Sequence, residues 1–174
     1  MDLMSDLRNI KYWVVDVDGT MTDAGIYYDE NGNETKKFCT KDAAGYFAAR
    51  AVGMEIIVIT GRECQSVTKR LTELGVEKIF QNIKNKKSFL FEYMQKYGIS
   101  KDQVAYIGDD LNDLPAMSLA GYIACPADAC IEIKQKADYI STNKGGNGAV
   151  RDCIEYVLRS VELWDEAIKK VYFI

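Results

Sequence analysis

The chain has 174 residues, 48% hydrophobic and 28% charged, a balance suited to one packed domain over 1–174 and unlike that of disordered or collagenous chains. Lys and Arg number 22 against 26 Asp and Glu, a net charge of −4, which leaves no electrostatic basis for general binding to nucleic acid or an anionic membrane. There is no histidine, so Ser-His-Asp and Cys-His catalysis and His-ligated zinc are excluded, and any chemistry must use carboxylates, Lys, Arg, hydroxyls or a hard cation.

The opening segment, Met1 to Asp6, carries acid where a secretion signal carries base, and no apolar run approaches a membrane span. Cys39, Cys64, Cys125, Cys130 and Cys153 are odd in number and form no CxxC pair, which suits reduced thiols. A cytoplasmic protein is expected. Tyr12–Val15 is a short β-rich run that leads into Asp16-Val17-Asp18-Gly19-Thr20. The segment 25–38 has two strand-like arms around Asn31-Gly32 and predicts a projecting β-hairpin. Beyond it, apolar spacing predicts helices over Ala43–Val52, Cys64–Leu74, Lys86–Tyr97 and Asn112–Leu119, and one from Gly148 to Arg159 continuing toward Ile168. Strand-like runs alternate with them at Glu55–Thr60, Glu77–Gln81, Val104–Gly108 and Tyr122–Cys125. The alternation predicts an α/β fold, a Rossmann-like three-layer open parallel sheet with helices on both faces.

Ligands of such sheets gather where the strands end, so the residues just past each run are the candidates. The first run ends in Asp16 and Asp18, whose spacing of two puts both carboxylates on one side of an extended chain. The second ends in Thr60-Gly61-Arg62, a hydroxyl, an unobstructed amide and a guanidinium suited to a phosphate dianion. Lys86 opens the helix after the third run, and the fourth ends in Gly108-Asp109-Asp110-Leu111-Asn112-Asp113. So many carboxylates at strand ends repel one another unless a cation is shared among them, and Mg²⁺ is the hard ion that binds a few carboxylates together with a substrate phosphate. With phosphoryl charge neutralised by Mg²⁺ and Lys86, Asp16 is placed to attack phosphorus, while Asp18 protonates the departing sugar oxygen and later activates water.

At these residues the sequence resembles the haloacid dehalogenase superfamily of phosphohydrolases, with the motifs Asp16-x-Asp18-Gly19-Thr20, Thr60-Gly61, Lys86 and Gly108-Asp109-Asp110-x-x-Asp113 in order. The resemblance implies Mg²⁺ held by Asp16, the backbone carbonyl of Asp18, and Asp109. It implies phosphate held by Thr60 and the Gly61 amide, with Asp113 orienting Lys86 and Asp110 a supporting or capping acid. Within the superfamily, the stretches Asp16–Asp23, Ile59–Arg62, Val104–Pro115 and Gly145–Arg151 look like those of the 3-deoxy-D-manno-octulosonate 8-phosphate phosphatase family. Thr20 stands where that family usually has Val, and Asn82 where Gly is common. The substrate implied is an acidic 2-keto-3-deoxy sugar phosphate, with Arg62, Arg70, Asn112 and Lys41 as candidate contacts. Related phosphatases of nine-carbon, sialic-type acid 9-phosphates often carry Glu in place of Arg62, so an eight-carbon acid is favoured.

Neither interval that houses a cap domain in this superfamily is long enough for one, and a capless site would lie open to water. A neighbouring subunit is therefore expected to cover it, as in the homotetramers of the resembling family; the hairpin's Ile26, Tyr27, Tyr28 and Phe38 suit such an interface. A non-enzymatic phospho-accepting receiver is the competing reading. It would need its acceptor Asp after the third run, and none follows Glu77–Gln81.

Overall fold

The computed structural model describes residues 7–174, so the acidic segment at 1–6 lies outside the described residues. In chain order the elements are β1 (Tyr12–Val15), β2 (Tyr27–Tyr28), β3 (Glu34–Thr35), α1 (Asp42–Ala51), β4 (Glu55–Ile59), α2 (Gln65–Glu73), β5 (Lys78–Phe80) and α3 (Lys86–Tyr97). A 3₁₀ turn at Lys101–Gln103 precedes β6 (Val104–Ile107), followed by α4 (Leu114–Met117), β7 (Tyr122–Cys125), α5 (Ile131–Lys134), β8 (Tyr139–Ile140), α6 (Ala149–Ser160) and α7 (Trp164–Tyr172). Among the described residues, six strands form one parallel sheet in the order β5-β4-β1-β6-β7-β8, the open α/β arrangement that the alternation predicts.

The sheet is buried on both faces because β1 and β6 are apolar throughout and β4 is apolar from Ile56 onward. Trp13, Val15, Ile56, Val58, Ala105 and Ile107 face one layer, which contains α1, α2, α6 and α7. The alternate residues Val14, Ile57, Ile59, Val104 and Tyr106 face the other, built on α3, α4 and α5. Strand β1 pairs with β4 on one side and β6 on the other. The chain thus runs outward from the centre in both directions, and the loops after β1 and β6 part to leave a crevice at the carboxyl ends of the strands.

Several local features depart from the sequence expectation. The hairpin's connection is five residues, Asp29 to Asn33, rather than a two-residue Asn-Gly turn. Gly32 has positive φ, 79°, but Asn31 does not. The Asp29 carboxylate accepts from the backbone N–H of both Asn31 and Asn33, which widens the turn. The helix expected to run from Gly148 toward Ile168 is two helices, broken at Val161–Leu163 where Glu162 adopts φ 63°. The helix expected over Asn112–Leu119 is the single turn α4, because the preceding residues form the loop that holds Asp113. Strand β8 and helix α5 were not legible in the pattern. Helix α3 spans the predicted residues: Asn85 accepts from Ser88 N–H at 3.0 Å at its start, and Gly98 ends it at φ 64°.

Candidate active site

The crevice beside β1 holds a buried ion cluster. Asp16 is 2% exposed, Lys86 3% and Asp113 fully enclosed. The α3 cap places Lys86 on the first residue of that helix, from where its ammonium donates to Asp16 Oδ1 at 2.6 Å and Asp113 Oδ1 at 2.7 Å. Asp113 also accepts from the Tyr106 hydroxyl at 2.8 Å and from the Asp109 N–H at 3.3 Å. Carboxylate oxygens of Asp16, Asp109 and Asp113 all lie within 4.8 Å of one another.

Close approach of the β1 and β6 loops depends on glycine. Gly19 has φ 86°, and a Cβ there would overlap the Asp109 carboxylate. Thr20, the residue that stands in place of the usual Val, donates its hydroxyl to Asp109 Oδ1 at 3.2 Å. Gly145 and Gly146 press against the backbone of Gly19, Thr22 and Asp23, so this glycine segment supports the loop after β1 of its own chain.

The electrostatics follow from enclosure. Burial, reinforced by Asp113, pushes the Asp16 carboxyl well above the ordinary carboxylate range against the opposing pull of Lys86. Burial and then Asp113 raise Asp109 to about 7. Lys86 loses hydration, yet the negative charge of Asp16 and Asp113 holds it above the ordinary lysine range. One ammonium among three clustered carboxylates leaves negative charge uncompensated. The donors are all oxygens, which fits a hard divalent cation and not a thiolate- or imidazole-bound metal.

A second network lies toward the hairpin. The Asp18 carboxylate does not share a partner with Asp16: the chain leaves β1 after Val15 and turns at Gly19, and Asp18 Oδ1 meets the Lys36 ammonium while Oδ2 lies 3.5 Å from the Thr60 hydroxyl. Spacing of two along an extended chain is thus not enough to unite these two side chains; the carboxylate trio is Asp16, Asp109 and Asp113. Lys36 also donates to Glu34 Oε1 at 2.5 Å, and Glu34 takes Arg62 in a fork through Nε at 3.2 Å and Nη2 at 2.5 Å. The Arg62 hydrogen bond and then Lys36 bring Glu34 down to about 2, against the effect of its partial burial.

The remaining candidates are more dispersed. Thr60 is buried at the end of β4, and the Gly61 carbonyl accepts from Lys84 at 2.5 Å. Arg70 donates to the Cys39 carbonyl at 3.5 Å and pairs with Glu73, so it and Arg62 engage separate partners. Asn112 is exposed on the β6 loop, as is Asp110, whose carboxylate accepts from the Leu111 N–H. Asn82, the other departure from the family pattern, occupies the left-handed region at φ 58°, which explains why Gly is at home there. Tyr106, Lys36 and Glu34 escaped the sequence reading. Only Lys36 and Glu34 left a trace, a spacing of two on one strand arm.

A model of haloacid dehalogenase-like hydrolases matches residues 77–153. The 3-deoxy-D-manno-octulosonate 8-phosphate phosphatase KdsC of Haemophilus influenzae is 34% identical over 158 residues, 91% of this chain and 88% of that protein. This chain belongs to the haloacid dehalogenase-like hydrolases, among the KdsC phosphatases. KdsC of Escherichia coli K12 is 36% identical over 166 residues, 95% of this chain and 88% of its own. The 3-deoxy-D-manno-octulosonate 8-phosphate phosphatase of Moraxella catarrhalis, solved with a magnesium ion, a phosphate ion and KDO, superposes with a TM-score of 0.90 at 38% identity, covering 95% of each chain. No helix among the described residues of this KdsC-type hydrolase is long and apolar enough to cross a membrane.

Proposed function

We propose that the chain is a magnesium-dependent phosphomonoesterase that converts 3-deoxy-D-manno-octulosonate 8-phosphate to KDO and phosphate. The observation that carries this reading is the buried Lys86 ammonium bridging Asp16 and Asp113 beside Asp109, in a family whose Moraxella member binds magnesium, phosphate and KDO. Asp16, the backbone carbonyl of Asp18, and Asp109 would hold Mg²⁺, which supplies positive charge to the phosphoryl oxygens. An Asp16 oxygen attacks phosphorus in line. The phosphorus–oxygen bond to the sugar breaks, and the proton of Asp18 passes to the sugar oxygen. Water then attacks the aspartyl phosphate, Asp18 takes the water's proton, and the bond to Asp16 breaks to release phosphate. Lys86 balances negative charge at Asp16 throughout, aimed by Asp113.

Thr60 and the Gly61 amide are assigned to the phosphoryl oxygens; Arg62, Arg70 and Asn112 are the candidates for the sugar end. We also assign residues 1–174 to one capless domain that acts in the cytoplasm, in lipopolysaccharide synthesis, as a homotetramer whose neighbouring subunits close the sites. The exposure of Ile26 at 51% and Tyr28 at 64% on the hairpin supports such an interface.

A Mg²⁺-supplemented screen of eight- and nine-carbon ketoacid phosphates and simple hexose phosphates tests the reading, run on the native chain and Asp16→Asn together. The eight-carbon acid should be hydrolysed best and Asp16→Asn should show no turnover. Equal hydrolysis of hexose phosphates would refute the sugar assignment, and an active Asp16→Asn would refute the nucleophile.

A further inference from the structure

Tyr106 lies on β6 with its ring in the apolar layer between the sheet and helices α3 and α4, and it is fully buried. A phenylalanine would fill that place with the same ring and no desolvated hydroxyl, and unlike the buried phenols of Tyr46 and Tyr122 this one has a partner. Its hydroxyl donates to Asp113 Oδ1 at 2.8 Å. The same oxygen accepts the Lys86 ammonium at 2.7 Å, and Oδ2 accepts the Asp109 N–H at 3.3 Å. A carboxylate rotates easily about its terminal bond unless donors hold it. The phenol is anchored in the packed core by its ring. Without it Oδ1 would rest on Lys86 alone, and Lys86 is shared with Asp16 at 2.6 Å. Burial also carries the Tyr106 phenol well above its ordinary range, so it remains a donor rather than becoming an anion.

We infer that Tyr106 is a positioning residue: its hydroxyl fixes the Asp113 carboxylate and thereby aims the Lys86 ammonium at Asp16. The role lies beyond the four motifs and rests on the phosphatase reading above. It separates β6 from a generic apolar strand, since a hydroxyl two residues before Gly108 reaches back under the loop that carries Asp109 and Asp113.

The test is Tyr106→Phe, which deletes one oxygen and keeps the ring. Two readouts are taken on the full-length protein. A crystal structure of the variant should show the Asp113 carboxylate rotated and Lys86 withdrawn from Asp16. Steady-state kinetics with Mg²⁺ and the 8-phosphate should show kcat lower by about tenfold with KM changed less than about twofold, the signature of an interaction lost chiefly in the transition state. A thermal melt establishes that the variant is folded. The inference is overturned if the carboxylate stays in place, or if kcat stays within twofold of the native enzyme even where the carboxylate moves. Should the native chain hydrolyse no phosphomonoester, the phosphatase reading fails by itself, and the crystal structure still decides whether the phenol holds Asp113.

Discussion

The cluster around Lys86 and the network around Lys36 are built from the same groups, a lysine between two carboxylates, in different surroundings. Lys86, Asp16 and Asp113 are sealed beneath the loops after β1 and β6, and enclosure moves the carboxyls of Asp16 and Asp109 upward. Lys36 is itself enclosed, but its partners open toward solvent: the side chain of Asp18 is 29% exposed, and that of Arg62, beyond Glu34, 42%. There the hydrogen bonds outweigh desolvation and Glu34 moves downward. Ion pairing alone therefore does not determine whether charge supports the fold. In the sealed cluster, desolvation is large and the arrangement is retained at a cost to stability. Near the hairpin, water reaches Asp18 and Arg62 and shares the load, so each pair contributes less than in the sealed cluster.

The largest effect is expected on replacing Lys86. Lys86→Met leaves Asp16 and Asp113 facing each other without a counter-charge, and loss of one member of a buried ion cluster costs on the order of 3–5 kcal/mol. Its kcat should fall roughly a thousandfold, as for removal of a donor aimed at transition-state charge. Urea denaturation and steady-state kinetics on the same preparation measure both. A variant as stable as the native chain would show that the carboxylates already carry protons that cancel their repulsion.

The two regions should also respond to pH with opposite sign. Asp109, at about 7, binds its proton more tightly folded than unfolded. Its contribution is therefore fully present below about pH 4 and lost as pH rises to about 7. Glu34, at about 2, binds its proton less tightly when folded, so its contribution is present above pH 4.5 and lost as pH falls toward 2. Urea midpoints of metal-free protein between pH 2 and 8 should rise from the acid end and decline toward neutrality. Mg²⁺ should flatten the decline because it replaces protons among the carboxylates, and leave the acid limb unchanged.

The smallest effect is expected for Glu34→Gln. Its partners Lys36 and Arg62 keep Asp18 and solvent, so the loss of its charged hydrogen bonds should cost on the order of 1–3 kcal/mol. A larger loss in the urea midpoint would show that the hairpin ions, like the Lys86 cluster, are structurally coupled to the core.

Legibility followed the range of the forces involved. Strands β1 and β7 and helix α3 have the boundaries that periodicity and caps indicate, because apolar alternation, Asn85 and Gly98 act within a few residues. The break between α6 and α7 was hidden because neither Gly nor Pro marks it; Glu162 takes φ 63° where α7 turns to bury Trp164 and Ala167. Strand β8 has only two residues, fewer than an alternation needs to be visible, and exists because β7 offers Ala124 and Cys125 as partners.

The candidate site divides the same way. The acids, the lysine and the Gly-rich turns stand in an order that is readable along the chain, since strand ends announce where a ligand can gather. Partnership is a matter of distance in space. That Asp113 joins Asp16 and Asp109, that Asp18 turns to Lys36, and that Tyr106 reaches Asp113 were decided by the packing of β1 against β6 and of α3 against the sheet. By itself the sequence determined which chemical groups are available and which strands carry them. Only the tertiary structure chose which are sealed from water and which partners they share, because desolvation and hydrogen bonding depend on neighbours far apart in the chain.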